Sequence, residues 1–387
     1  MMKKKLLIPI MLLHVLVFAL LWWLGRAKPL LDMIPARSKA VVRLSEEAAT
    51  ATDFAAHFAS FTGLPTNKTD VRGEAYLFVT PNEYFGVAVR LSDADALLAA
   101  LPTNAVTEED GAHWIWTDSG WMAMLHDETL IALGPATAME RERLRHTLQV
   151  MADAPVDEGF GHTPQAEALQ NDAPMAFVAS TKVLPAPYGS LMRLALPGGG
   201  ALIAGSGKSV EQGFVVTGGL WENGTTRPAA SEKPLPPTAS DKLLTGAFRM
   251  DGPELLRRLR ADGSARMLLT ALNDTATASA TIGRMRGISA IAVSSLDTTD
   301  NAQFRLEGRD EQGSPVVLQS RGMAPTDGTS LQLNADERAL LVVRTAPLLQ
   351  SPLPEQVLDV LQRLFGGFRQ ITLRTTVQGG FCMTFTE

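Results

Sequence analysis

One segment of the sequence has residue types that suggest phosphate binding. Gly205–Ser209 is Gly-Ser-Gly-Lys-Ser, which matches the last residues of the phosphate loop Gly-x-x-x-x-Gly-Lys-Ser/Thr. The first glycine of that loop would fall at Leu202, and Phe214–Trp221 downstream is typical of a strand, where the loop requires a helix. We therefore predict a hairpin turn here and no nucleotide site.

The histidines lack the spacing of metal ligands, because no two His or Cys residues stand at the short intervals that common metal sites use. His126-Asp127-Glu128 is the densest group of ligand types, but a polar turn between strands explains it more simply. We predict no metal and no other cofactor. The histidines that follow the N-terminal segment are His57, His113, His126, His146 and His162.

A nucleophilic serine needs a base within hydrogen-bond reach. The Gly-x-Ser-x-Gly elbow is absent, and Ser119 and His126 would meet only across a hairpin. Acidic residues are scattered over turns and helix caps, so no catalytic pair is assigned. The prediction is that the protein is not an enzyme. The alternative is an envelope hydrolase with a divergent site, which requires a pocket where titratable groups converge.

Three tryptophans form the most distinctive aromatic group. Trp114 and Trp116 alternate along a predicted strand and share a face, and Trp121 follows across the turn. If that face is exposed, it is a platform for a glycan, peptide or protein partner. If it faces the helix predicted over Ala136–Met151, it is core. The sequence leaves both alternatives open.

The composition indicates a folded protein and argues against a nucleic-acid-binding class. The chain has 387 residues, a formal net charge of −6 and a hydrophobic content of 45%, which is typical of a folded protein without a basic surface for nucleic acid. Cys382 is the only cysteine, so an internal disulfide is excluded.

The N-terminus predicts a membrane anchor. Lys3–Lys5 precede a nearly unbroken apolar run, Leu6–Leu24, which is about as long as the ~20 residues that a bilayer core requires. The positive cluster predicts a cytoplasmic N-terminus, residues 1–5, and a periplasmic ectodomain. Cleavage after Ala27 is the competing interpretation, because Gly25-Arg26-Ala27 has small residues at both ends.

Patterning beyond the anchor predicts an α+β fold of antiparallel sheets covered by helices. An N-terminal domain over 25–155 and a C-terminal region over 173–387 are expected, with a Pro-rich linker or loop at 222–241. Three strand–helix–hairpin modules are predicted in the second region, and they begin at Met175, Leu244 and Ala339.

Three segments, Ile34–Leu44, Ala75–Val89 and Ala132–Ala136, resemble an uncharacterised family of envelope proteins from Bacteroides, Prevotella and their relatives. The resemblance implies a Gram-negative envelope and an extracytoplasmic ectodomain, but it brings no activity, cofactor or catalytic residue. Because no cysteine directly follows the apolar run, we expect an inner-membrane protein and not a lipoprotein.

Together these features predict a single-span membrane protein that binds an envelope protein or glycan, or scaffolds an envelope assembly. The candidate partner-binding residues are Trp114, Trp116 and Trp121.

Overall fold

The computed structural model describes residues 28–50, 54–65, 71–183, 193–197, 202–232, 242–261, 275–295, 303–320, 331–349 and 367–387. The predicted α+β class with mostly antiparallel sheet is confirmed. The predicted span Leu6–Leu24 and residues 1–5 lie outside the described residues. Among the helices that are described, none has the length and apolar character needed to cross a bilayer.

The strands, in chain order, are β1 (Ala40–Leu44), β2 (Ala75–Val79), β3 (Phe85–Arg90), β4 (Val106–Glu109), β5 (Ala112–Trp116), β6 (Met122–His126), β7 (Thr129–Gly134), β8 (Met175–Ser180), β9 (Leu202–Val210), β10 (Gly213–Glu222), β11 (Thr225–Thr226), β12 (Leu244–Phe248), β13 (Gly287–Ser295), β14 (Gln303–Arg309), β15 (Pro315–Gln319), β16 (Glu337–Arg344), β17 (Gln370–Thr376) and β18 (Gly380–Thr386).

The α-helices described are α1 (Leu30–Met33), α2 (Glu46–Thr50), α3 (Phe54–Thr62), α4 (Ala94–Ala100), α5 (Arg141–Asp153), α6 (Gly252–Ala261), α7 (Thr275–Arg284) and α8 (Thr345–Leu349). Short 3-10 helices at Val156–Glu158, Phe160–His162 and Pro164–Leu169 connect α5 to β8.

Within the described residues the strands join one antiparallel sheet. Its order is β4-β5-β6-β7-β3-β2-β1-β8-β9-β10-β18-β17-β16-β12-β13-β14-β15, and β11 pairs with the end of β10. The sheet therefore runs without interruption from the N-terminal to the C-terminal region, through the pairing of β1 with β8. The predicted domain boundaries stay a prediction.

Four units of the chain share one strand–helix–hairpin pattern. In each unit the first strand pairs with the second and the second pairs with the third, as in β1-β2-β3, β8-β9-β10, β12-β13-β14 and β16-β17-β18. Helical residues lie between the first and second strands of each. Units meet through their first strands at β1–β8 and β12–β16, and through their third strands at β10–β18.

Strand alternation gives the sheet two apolar faces in its N-terminal part. On one face α5 presents Leu144, Leu148 and Met151, at helical spacing, to a cluster that includes Met124 and Ile131. These helix positions are at most 4% exposed, so α5 is held mainly by burial of this stripe.

The opposite face carries a second cluster, in which Phe58 of α3 and Leu97 of α4 join Val87 and Val89 of β3. Towards the C-terminal edge, α6 and α7 bury their apolar faces against the sheet in a third cluster, which also contains Leu194–Leu196.

The structure corrects the prediction for Gly205–Ser209, which is not a turn but lies inside β9. Gly205–Gly207 pair with both β8 and β10, and Lys208 and Ser209 pair with β10. The glycine serves close packing here: a Cβ on Gly205 would lie 2.1 Å from the carbonyl oxygen of Thr217. A backbone paired on both sides cannot cradle a phosphate, so the absence of a phosphate loop at this segment has a structural reason.

Candidate functional site

Two tight turns lie side by side at one end of the N-terminal part of the sheet. Asp110-Gly111 joins β4 to β5 and Asp127-Glu128 joins β6 to β7. Asp110 and Asp127 have φ of 52° and 50°, a left-handed conformation that Asp and Asn adopt more readily than most residues. The pairing of β5 with β6 brings the two turns to the same sheet end.

A cleft of about 590 Å³ lies between these turns and the C-terminal end of α5. We name it the α5–turn cleft. Its apolar lining consists of Met33, Ala112, Met124 and Ala152, and of these Met124 and Ala112 are buried at 4% and 8% exposure. The cleft is therefore closed at its base by the hydrophobic core beneath α5.

The rim of the α5–turn cleft is charged. Its basic side chains are Lys28 and Arg90, and His126 and Thr129 also line it. The carboxylates outnumber the cations and belong to Glu109, Asp110, Asp127, Glu128 and Asp153.

Lys28, the first residue that the structure describes, is hydrogen-bonded to the C-terminal end of α5. Its Nζ donates to the carbonyl oxygen of Ala154 at 2.8 Å and to that of Met151 at 3.5 Å. These carbonyls have no partner within the helix and form the negative end of its dipole, so an ammonium group is favoured there. Arg90 Nη2 donates to the carbonyl oxygen of Lys28 at 3.4 Å. Burial lowers the pKa of Lys28, against the opposing effect of Asp32 and Asp153.

The predicted tryptophan platform is largely core. Trp114 and Trp121 are 4% and 5% exposed, and they lie on opposite faces because Trp114 belongs to the cluster under α5 and Trp121 to the other. Trp116 is half-buried against the first cluster. Arginines of α5 cover the rings: Arg145 Cζ lies 5.0 Å from the Trp114 ring centre, and Arg141 Cζ lies 5.8 Å from that of Trp116. Trp114 therefore packs beneath α5, as the core alternative had it, whereas Trp121 is buried on the opposite face of the sheet.

The serine and histidine considered as a catalytic pair do not meet. Ser119 precedes β6 and His126 ends it, so the strand separates them by roughly 15 Å. Ser119 Oγ donates to the carbonyl oxygen of Thr62 at 2.6 Å, which fixes the end of α3. His126 does reach the α5–turn cleft, and its Nδ1 lies 3.6 Å from Asp127 Oδ2.

Metal-ligand geometry is not found among the described residues, where no three His, Cys, Asp or Glu side chains are grouped to hold an ion. Neither Lys28 nor the meeting of the two acidic turns was predicted from the sequence. The Asp-Gly dipeptide at 110–111 signalled a turn, but nothing local signalled that α5 would end beside it.

Comparison with known proteins gives few relatives. No family model matches the chain, and no curated protein shows a significant match. Crystal form I of TP0453 is 10% identical, with 51% of this chain and 81% of that chain covered and a TM-score of 0.36. Crystal form III of TP0453 is 12% identical, with 50% and 80% covered and a TM-score of 0.32.

The DNA polymerase III beta chain from Streptococcus pneumoniae TIGR4 is 9% identical, with 90% of this chain and 99% of that chain covered and a TM-score of 0.12. At such scores these similarities carry no argument about fold or function.

Proposed function

We propose that the protein is a single-pass inner-membrane protein whose periplasmic ectodomain binds a partner at the α5–turn cleft. The observation that carries this proposal is the attachment of Lys28 to the end of α5. The predicted span ends at Leu24, four residues earlier, and an extended chain covers at most about 3.6 Å per residue. The cleft is therefore within ~14 Å of chain from the predicted anchor.

The shape and lining of the cleft also support binding. Ligand sites are typically concave, with an apolar base and a small number of polar groups that fix orientation. The α5–turn cleft has this composition, and its two turns and the α5 end approach from different parts of the sequence. An envelope protein is the partner class that we propose, with an envelope glycan as the alternative.

The anchor is tested first, on the full chain in a Gram-negative host. Carbonate-washed membranes should retain the protein, and protease added to spheroplasts should digest the ectodomain. Extraction into the carbonate supernatant would contradict the anchor. Protection of the ectodomain in spheroplasts would contradict the periplasmic orientation.

Partner binding is tested by photocrosslinking in cells. A benzoylphenylalanine at Gln149, which lines the cleft, should give a discrete adduct. The matched control is the same residue at Asn82, which is exposed in the turn between β2 and β3 at the other end of the sheet. Adducts of equal yield at both positions, or none at Gln149, would reject the cleft as the binding site.

A hydrolase is the second candidate, because the cleft places His126 beside the carboxylate of Asp127. A histidine can act as a general base, and the 3.6 Å distance between its Nδ1 and Asp127 Oδ2 would have to shorten for the carboxylate to orient the ring. The test is turnover of nitrophenyl esters, phosphates and glycosides by the purified full chain, with His126→Asn as the comparison. Equal rates for the two proteins, including no turnover by either, would exclude catalysis by His126 on these substrates.

A further inference from the structure

The α5–turn cleft is amphipathic, and this narrows the chemistry of its occupant. Met33 and Met124 face the cleft together with two alanines, and they provide a flexible, polarisable apolar surface. The carboxylates of Asp110 and Asp127 project from the two turns above that surface. An occupant that fits both parts needs an apolar body and a positive group.

The two cations of the lining neutralise this rim only in part. Lys28 directs its ammonium to the carbonyl oxygens of Met151 and Ala154, and Arg90 donates to the backbone of Lys28. Both are thus engaged in holding the start of the described chain against α5. The five carboxylates of the lining exceed these two cations by three charges.

The carboxylates of the cleft differ in whether a nearby basic side chain offsets their negative charge. Glu109 pairs with Arg145, and Glu128 lies 3.6 Å from Arg72, both outside the cleft lining. In the described part of the chain, Asp110 and Asp127 form no ion pair with a lysine or arginine, and Asp127 lies near His126 alone. The negative potential is therefore strongest at the two turns.

We propose that the α5–turn cleft binds a peptide segment of a partner protein in which arginine or lysine stands beside an apolar residue. This proposal rests on the proposed function and assigns the class of ligand to its binding site. The charged heads bind the Asp110 and Asp127 carboxylates, and the aliphatic stems and apolar neighbours cover Met33 and Met124. Long cationic side chains are suited to this, because their stems pack on apolar surface while the heads stay solvated.

Charge and apolar contact together favour the cationic peptide over a lipid surface or a polyamine as the occupant of the α5–turn cleft. Phosphate groups of lipids carry the same sign as the rim, so the cleft repels an anionic bilayer surface. A simple polyamine satisfies the rim but leaves the methionines uncovered. The peptide satisfies both, and its binding is expected to weaken with salt, because the contacts lie at the surface.

The left-handed conformation of the two turns allows substitutions that remove charge without changing the backbone. Asn tolerates the left-handed region as Asp does, so Asp110→Asn with Asp127→Asn removes two charges and keeps both turns. The matched control is Asp118→Asn, because Asp118 is an exposed acid in the turn at the opposite end of β5. Thermal unfolding checks that all variants remain folded.

The experiment is fluorescence anisotropy with the full chain in nanodiscs of uncharged lipid. The probe is a fluorescein-labelled hexapeptide of alternating arginine and leucine. We expect saturable binding that is weakened at least threefold by the double Asp variant and unchanged by Asp118→Asn. Unaltered affinity in the double variant, or equal affinity for a glutamate–leucine peptide, would overturn the proposal.

Two further probes separate the apolar part from the charge. An arginine–serine hexapeptide should bind at least threefold more weakly, and spermidine should not displace the arginine–leucine peptide at equal charge concentration. Equal binding of the serine peptide, or displacement by spermidine, would reject the apolar contact. An adduct at Gln149 without binding of any cationic peptide would reject this ligand class and leave the proposed function standing.

Discussion

Buried charged side chains form hydrogen bonds and ion pairs in the interior of the C-terminal part of the sheet. The Arg258 guanidinium is buried, and its Nη1 donates to the carbonyl oxygens of Arg193 at 2.8 Å and Leu194 at 3.0 Å. Glu254 Oε1 accepts from Arg258 Nη2 and from Arg338 Nη2, both at 2.7 Å. Burial by itself raises the pKa of Glu254, but Arg338 and Arg258 outweigh it and hold the pKa below its ordinary value.

A second buried pair joins neighbouring strands, with Glu337 of β16 1% and Arg374 of β17 5% exposed. Breaking a buried pair leaves an uncompensated charge, which costs about 3–5 kcal/mol, whereas removing both charges is often neutral. Glu337→Gln should therefore lower the free energy of unfolding by that amount, and Glu337→Gln with Arg374→Met should recover most of it. Urea denaturation measures both. A double variant as unstable as the single one would show that the charge pair is not the cause.

At the scale of the element, α5 links the core to the α5–turn cleft. Its buried stripe fixes the helix on the sheet, and its last turn receives Lys28 and lines the cleft with Gln149, Ala152 and Asp153. The position of the cleft wall thus depends on packing one to two turns earlier in the same helix.

Truncation of a buried side chain of α5 tests whether this packing holds the helix on the sheet. Leu148→Ala removes a side chain that is 0% exposed, and such truncations cost about 2–5 kcal/mol. Val150→Ala on the same helix is the control, because Val150 is 53% exposed and should change stability by less than about 0.5 kcal/mol. Thermal unfolding compares the two. Equal shifts in melting temperature would contradict the packing described for α5.

Elements with strong apolar alternation could be predicted from the sequence, and β8 and β12 begin at Met175 and Leu244, as predicted. The polar edge strand β4 and the short strand β15 were missed, because neither has the alternation and length that a partly buried strand requires. β9 was predicted too short, because its glycines suggested a turn. In the structure Gly205 is needed instead because the neighbouring strand β10 approaches its backbone closely.

The cleft itself could not be predicted. Its walls come from residues 28 to 153, and they meet only because β4–β7 and α5 pack in one particular arrangement. Local pattern indicated each turn and the helix separately. Neither the carboxylate excess at the rim nor the role of Lys28 follows from spacing along the chain.

For the whole molecule, the continuous sheet couples the two regions that the sequence divides. β1 and β8 pair over five residues, from Ala40↔Ala179 to Leu44↔Met175, and within the C-terminal region β10 and β18 pair from Gly213↔Thr386 to Gly219↔Gly380. The β1–β8 junction carries a full backbone ladder, so neither region can lose its strand there without exposing unpaired backbone groups of the other.

We therefore expect the two regions to unfold in one cooperative transition. In a Trp221→Phe variant, which removes the tryptophan of β10, fluorescence reports on the N-terminal part through Trp114 and Trp121. Alkylation of Cys382, which is buried at 1% exposure, reports on β18. The two probes should give the same urea midpoint. Midpoints separated by more than the fitting error would show that the regions unfold independently.

The attachment of Lys28 also has a mechanical consequence. In the protein as we propose it, tension between the anchor and a bound partner would enter the fold at residue 28 and would be opposed by the two hydrogen bonds to the end of α5. The bridge between Pro35 and Gly159 connects the next segment to the same region. Under that proposal the load would act on the residues beside the α5–turn cleft.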